Sequence, residues 1–187
     1  NRSAQKVQDF ISQYGGTASE LEQAFQEAEV IFLGVKPYQI CPLLEEYKGI
    51  LAQRSNLLLV SMAAGLELEK MADVIQNDQV GLIRIMPNTP AAVGAGTILY
   101  AAQNVTDAQL NAFRAVLAQA GLLLPLPEAQ IDAASAISGC GPAFCFQFAD
   151  ALALGGVRAG LSYPDACRLA AQTMLGAAEM LLQGGEA

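Results

Sequence analysis

Three short apolar runs, separated by stretches of helical spacing, restrict the fold of this chain more than any other feature. Val30 to Val35 reads VIFLGV, Leu57 to Met62 reads LLLVSM, and Leu82 to Met86 reads LIRIM. Each run is nearly continuous in apolar residues, the pattern of strands covered on both faces, and helical spacing fills Ile40 to Leu51 and Leu68 to Ile75 between them. That alternation predicts βαβ units: a parallel sheet with helices on both faces and a ligand crevice at the carboxyl ends of the strands. The three strand ends read VKP, SMAAG and MPNTP, so the unusual residues collect along one edge.

Further elements extend the pattern. Ser3 to Tyr14 reads as a helix capped by Ser3 and closed by Gly15-Gly16, and Ser19 to Glu29 as a second, with Thr17 or Ser19 as its cap. Gly96 to Ala102 is a further strand, Asp107 to Ala120 an amphipathic helix capped at Thr106, and Leu122 to Leu126 a short strand. From Ala129 to Leu182 only helical signals remain, broken at Gly139 to Pro142 and Gly160 to Pro164. A boundary near Glu128 therefore divides an α/β unit, residues 1–127, from an all-helical one, residues 128–187. The helix from Ala143 to Ala159 carries only Asp150 and Arg158 as charges. A helix apolar on most sides needs covering on most sides, which predicts a subunit interface ahead of an ordinary core helix.

Charge narrows the function. Ten Lys and Arg against 18 Asp and Glu give −8, and the scattered basic residues form no stripe that would hold a phosphate backbone, so nucleic acid is not an expected partner. The uncharged segment of residues 133–149 is too short and too interrupted by Gly139, Gly141 and Pro142 to span a bilayer. The opening NRSAQKVQDF has no apolar leader, so the four cysteines are expected as buried thiols in a reducing cytoplasm. With no CxxC spacing and no histidine, neither a zinc site nor a Ser-His-Asp or Cys-His nucleophile is expected. Asn88 in MPNTP is expected to hold its turn by bonding backbone on both sides.

The doubly wound folds that bind dinucleotides open with a strand and a GxGxxG turn. No such motif is present, the first residues NRS suit a position just after a second strand, and the last are GGEA. The expectation is a chain cut at both ends.

NRS (1–3), VIFLGVKP (30–37), LVSMAAG (59–65), RIMPNTPAAVGAG (84–96), ISGCGPAF (137–144), and GGVRAGL with QTMLGAAEMLL (155–161 and 172–182) follow one another in an order and at a spacing that resemble the pyrroline-5-carboxylate reductase family over nearly the whole chain. The resemblance implies a Rossmann-like domain that binds NADP, with NADPH preferred and NADH possible, followed by a helical domain that forms a homodimer or a higher homo-oligomer. The implied reaction is reduction of 1-pyrroline-5-carboxylate to L-proline, the last step of proline biosynthesis. It also implies cofactor contacts from Asn1, Arg2 and Ser3 near the ribose 2′-phosphate, from Val35, Lys36 and Pro37, and from Met62, Ala63 and Ala64. A cation and a hydroxyl at a helix N-terminus favour that phosphate, whereas a ribose hydroxyl would call for an acidic residue.

Gly141 and Pro142 fall where the family lines the nicotinamide pocket, and Glu128 falls where a carboxylate would draw a protonated imine. No catalytic acid is identified. Two departures stand out: an asparagine frequent in the family is Leu21 here, and the SPGGTT-type loop that cradles the substrate carboxylate would lie beyond Ala187. The competing readings are a related hydroxyacid dehydrogenase and a dimerising module without turnover. The former relies on a lysine in the helical domain, and no lysine follows Lys70.

Overall fold

In the computed structural model, which describes residues 3–184, the chain begins with α1 (Ala4–Tyr14) and α2 (Leu21–Glu27), then β1 (Val30–Leu33), α3 (Pro37–Glu46), α4 (Lys48–Leu51) and β2 (Leu58–Ser61). There follow α5 (Leu68–Ile75), β3 (Gly81–Met86), a 3-10 turn at Thr89–Val93, β4 (Gly96–Gln103), α6 (Asp107–Leu117) and β5 (Gly121–Pro125). Three helices complete it: α7 (Glu128–Ser138), α8 (Gly141–Arg158) and α9 (Tyr163–Leu182).

The five strands form one sheet in the order β1-β2-β3-β4-β5. β1, β2 and β3 are parallel, with Ile31 beside Leu59 and Val60 beside Ile83. The expected parallel sheet then changes sense: β4 runs antiparallel to β3, Ile85 facing Tyr100, while β5 is parallel to β4. The reason is the connection. β1, β2 and β3 are joined by helical crossovers, but β3 reaches β4 through the short MPNTP turn, which reverses the chain and can only deliver an antiparallel neighbour.

Period-two alternation sorts the core into two layers. Leu57, Leu59 and Leu82 face one side with Leu44, Leu51, Met71 and Ile75, under α3, α4 and α5. Leu58, Val60, Ile83, Ile85, Ile98 and Tyr100 face the other, with Phe113 of α6. β1 departs from the expected double burial: it is an edge strand among the described residues, and Phe32 is exposed.

Local chemistry sets the helix ends. Thr106 and Gln109 form a capping box, Thr106 Oγ1 accepting from Gln109 N at 3.2 Å and Gln109 Oε1 from Thr106 N at 3.0 Å. Ser3 caps α1 as expected, accepting from Lys6 N. The stretch read as one helix from Ile40 starts earlier, because Pro37 suits the first helical position and Gln39 accepts from Lys36 N. It also divides at Tyr47 into α3 and α4. Neither Thr17 nor Ser19 caps α2; its N-cap is Glu20.

α7 packs onto the sheet, burying Ile131 in the first core layer, whereas α8 and α9 pack mainly on each other through Ala153, Ala166 and Ala170. Phe144, Phe146, Phe148, Leu154, Leu169 and Met180 remain exposed on that helical pair. Taken as one run, residues 128–158 contain an 18-residue window of mean hydropathy 1.3, long and apolar enough to cross a membrane by length and composition, which the sequence reading of residues 133–149 did not anticipate. Gly139 and Cys140 break the run into two helices, one of them seated on the sheet.

Candidate functional site

Parallel pairing makes β1, β2 and β3 end side by side, so their exit loops form one rim. At the first, Val35 and Lys36 are exposed and Pro37 opens α3. A Cβ on Gly34 would stand 3.3 Å from Met62 Cε, so the first and second loops touch. At the second, Ala63 is buried and its N–H donates to Ser61 Oγ at 3.2 Å, while Met62 and Ala64 are exposed on either side of it. Small side chains here leave backbone accessible at the rim.

The third exit is MPNTP. Asn88 Oδ1 accepts from Thr97 N and Asn88 Nδ2 donates to Ser138 O, both at 2.8 Å. The expected two-sided bonding is present, and it reaches further than the turn: one amide ties the start of β4 to the last residue of α7. Since Gly139, Cys140, Gly141 and Pro142 follow at once, Asn88 brings the SGCGP junction to the end of β3. Pro142, in the first turn of α8, needs no backbone donor there. Val35 to Pro37 and Met62 to Ala64 thus share one rim, and Gly141 and Pro142 sit just past α7, whose end is tied to the third strand of that rim.

Glu128 has another occupation. Its Oε1 accepts from Arg84 Nη1 at 3.3 Å and from Leu68 N, at the start of α5, at 2.9 Å. Arg84 Nη2 also donates to Asp132 Oδ1 at 2.6 Å. The carboxylate expected to draw a substrate cation is held against a guanidinium that is only 3% exposed. Sequence reasoning passed over Arg84 and Asp132, although a signal existed. An arginine on the buried face of LIRIM requires acidic partners, and Glu128 and Asp132, four apart on a helix, present two on one face.

Ser3 is the N-cap of α1, and Asn1 and Arg2 lie outside the described residues. The first turn of α1 contains no acidic residue and does contain Lys6, an arrangement that fits a phosphate of a nucleotide cofactor. The thiols differ from expectation: Cys140 and Cys145, near and on the uncovered face of α8, are exposed, and Cys41 and Cys167 are half-buried. No cluster of metal-ligating side chains occurs among the described residues. Two surface hollows, one lined by Gln26, Tyr47, Ile50 and Arg54 and one by Lys6, Phe10 and Gly16, include none of the expected site residues.

Comparison with known proteins adds to this geometry. Residues 128–187 match the model for pyrroline-5-carboxylate reductase dimerisation, and residues 1–65 match the model for NADP oxidoreductase, coenzyme F420-dependent. A pyrroline-5-carboxylate reductase of Corynebacterium melassecola is 37% identical over 191 residues, which cover 100% of this chain and 70% of the relative. A solved pyrroline-5-carboxylate reductase from Coxiella burnetii superposes with a TM-score of 0.88 at 34% identity, covering 100% of this chain and 70% of that one. The Plasmodium falciparum pyrroline carboxylate reductase, solved with NADP bound, gives 0.75 at 32% identity, covering 88% of this chain and 62% of that one. Across eight such curated relatives the chain spans 58% to 70% of their length. With one fold shared end to end and a third of its residues identical, this chain belongs to the pyrroline-5-carboxylate reductase family.

Proposed function

We propose that the full-length protein reduces 1-pyrroline-5-carboxylate to L-proline, the last step of proline biosynthesis, in the cytoplasm and as a homodimer or larger homo-oligomer. The observation that carries this reading is the joining of the MPNTP turn to the α7–α8 junction by Asn88, which brings a nucleotide-type strand rim and a helical wall to one place. When bound, the reduced nicotinamide would supply a hydride from its C4 to the imine carbon of the substrate, the ring carbon that becomes C5 of proline, and a proton joins the ring nitrogen to complete the amine. The chain's task is orientation. Val35, Lys36, Pro37, Met62, Ala63 and Ala64 form the rim for the cofactor, and Gly141 and Pro142 the opposing wall for the substrate.

Protonation of the imine nitrogen makes the imine carbon electrophilic in solution, so a chain without histidine suffices. NADPH is preferred over NADH in this reading, because Arg2, Ser3, Lys6 and the N-terminus of α1 together favour an added phosphate. Residues 1–127 act as the cofactor unit and residues 128–187 as the unit of association and substrate binding. The exposed Phe144, Phe146, Phe148 and Leu154 of α8 become covered by a second copy.

The test is loss of reduced-nicotinamide absorbance with pyrroline-5-carboxylate, run on the full-length protein with NADPH and NADH in parallel. Turnover that is faster with NADPH is expected. No turnover with either would refute the reading. Turnover with a 3-hydroxyacid and oxidised cofactor instead would transfer the protein to the dehydrogenase alternative.

A further inference from the structure

We infer that Arg84, Glu128 and Asp132 are positioning residues for hydride transfer: they fix the seat of α7 on the sheet, and with it the setting of the α7–α8 junction beside the exit of β3. The inference rests on the function proposed above.

Arg84 lies in the interior strand β3, on the same face as Leu82, the face that also carries Ile131. Placing a guanidinium there forfeits its hydration, and a well-packed apolar side chain would serve stability as well or better. What an apolar residue would lack is direction. Nη1 and Nη2 engage two carboxylates one helical turn apart, Glu128 and Asp132, and so define both the rotation of α7 about its axis and its position along β3. Glu128 extends the grip to a third element through Leu68 N, which closes the loop that starts at Met62.

The far end of α7 is held separately, by Asn88 on Ser138 O. Arg84 and Asn88 are four residues apart in sequence, while their contacts on α7 span Glu128 to Ser138, roughly 15 Å of helix axis at 1.5 Å per residue. A rod fixed at both ends to one strand and its exit has little freedom to rock. Release at the Arg84 end leaves one bond, at Ser138, to hold it, so the rotation of α7 about its axis, and with it the direction in which Gly141 and Pro142 leave the helix, is no longer fixed. Displacements on the order of 1 Å at a reacting pair lower rates by up to about a hundredfold.

The test uses Glu128→Gln, Asp132→Asn and Arg84→Lys in the full-length protein. Glu128→Gln can keep both hydrogen bonds and loses only charge. Asp132→Asn removes the charge of the shorter contact, and Arg84→Lys keeps the charge but loses the fork. Measured quantities are kcat, KM for the imine, NADPH affinity by fluorescence titration, and the unfolding midpoint.

For Asp132→Asn and Arg84→Lys, kcat is expected to fall about tenfold, with imine KM and NADPH affinity changed less than about twofold. Unchanged kcat in folded variants would overturn the inference. So would a raised imine KM with kcat intact in Glu128→Gln, which would return Glu128 to drawing the substrate cation. Failure of all three variants to fold would overturn it too, by making the cluster a requirement of folding. Inactivity of the unaltered protein would refute the proposed function, and this inference with it, whereas an active parent with unaffected variants refutes the inference alone.

Discussion

Replacing Asn88 with alanine separates two roles that one side chain performs. The backbone at Asn88 is extended, φ −123° and ψ 167°, which alanine adopts without strain, so any loss comes from the amide alone. Two hydrogen bonds of 2.8 Å disappear, leaving Thr97 N–H and Ser138 C=O short of a partner in a half-buried site. At about 1 kcal/mol net for each, Asn88→Ala is expected to cost about 2 kcal/mol. For a chain of this size that lowers the unfolding temperature by about 4–8 °C.

Asn88→Asp is the sharper variant. It keeps an acceptor for Thr97 N–H but turns a carboxylate oxygen toward the Ser138 carbonyl, so it should cost at least as much as alanine despite its closer shape. Urea unfolding at one fixed protomer concentration measures both, with m unchanged and only the midpoint moved. A loss under about 0.5 kcal/mol for Asn88→Ala, or wild-type stability for Asn88→Asp, would refute the claim that this amide couples the MPNTP turn to α7.

Three other outcomes are expected. Arg54 donates to Phe25 O and Ala28 O, so Arg54→Ala should cost about 1.5–3 kcal/mol and speed amide exchange in α2, with lysine restoring only part because one ammonium lacks the fork; unchanged α2 protection would contradict this. Gly121 has φ +128°, and a Cβ there would stand against the Gly96 carbonyl of the paired strand, so Gly121→Ala should cost about 3 kcal/mol, whereas Gly49→Ala in α4, with open space around it, should gain about 0.5 kcal/mol in the same melting assay. Burial beside Phe25, then Glu46 and Glu22, raises the Tyr47 phenol above its ordinary value, so the folded chain keeps a proton that the unfolded chain releases. Stability is therefore expected to fall as pH rises past about 10, and Tyr47→Phe should flatten that fall in pH-dependent urea midpoints.

Much of the fold was legible because burial on both faces writes itself as continuous apolar runs. The three runs at Val30, Leu57 and Leu82 became β1, β2 and β3, and Thr106 with Gln109 marked the start of α6. The sense of β4 was not legible, since the strand itself reads alike in either direction and only the shortness of the MPNTP connection decides it. The start of α3 was missed because helical spacing was counted only from Ile40, when Pro37, at the end of VKP, also suits a first helical turn. At the site, the two-sided bonding of Asn88 followed from amide chemistry, but its partner Ser138 lies fifty residues away and no local pattern names it. Arg84 was concealed by an otherwise apolar strand, and its partners belong to a helix assigned from sequence to the other domain.

That assignment bears on how such a chain can be recombined. A chimera spliced at Pro127 would carry α7 away with the helical module and leave behind a sheet with an empty seat where Ile131 lay, an uncapped α5 amide at Leu68 and Arg84 stripped of both counter-charges. Splicing at Gly139 would sever mainly the Asn88 neighbourhood and let α7 travel with the sheet that holds it. The seam for exchanging modules between relatives therefore runs after α7, some ten residues beyond the point at which the composition changes.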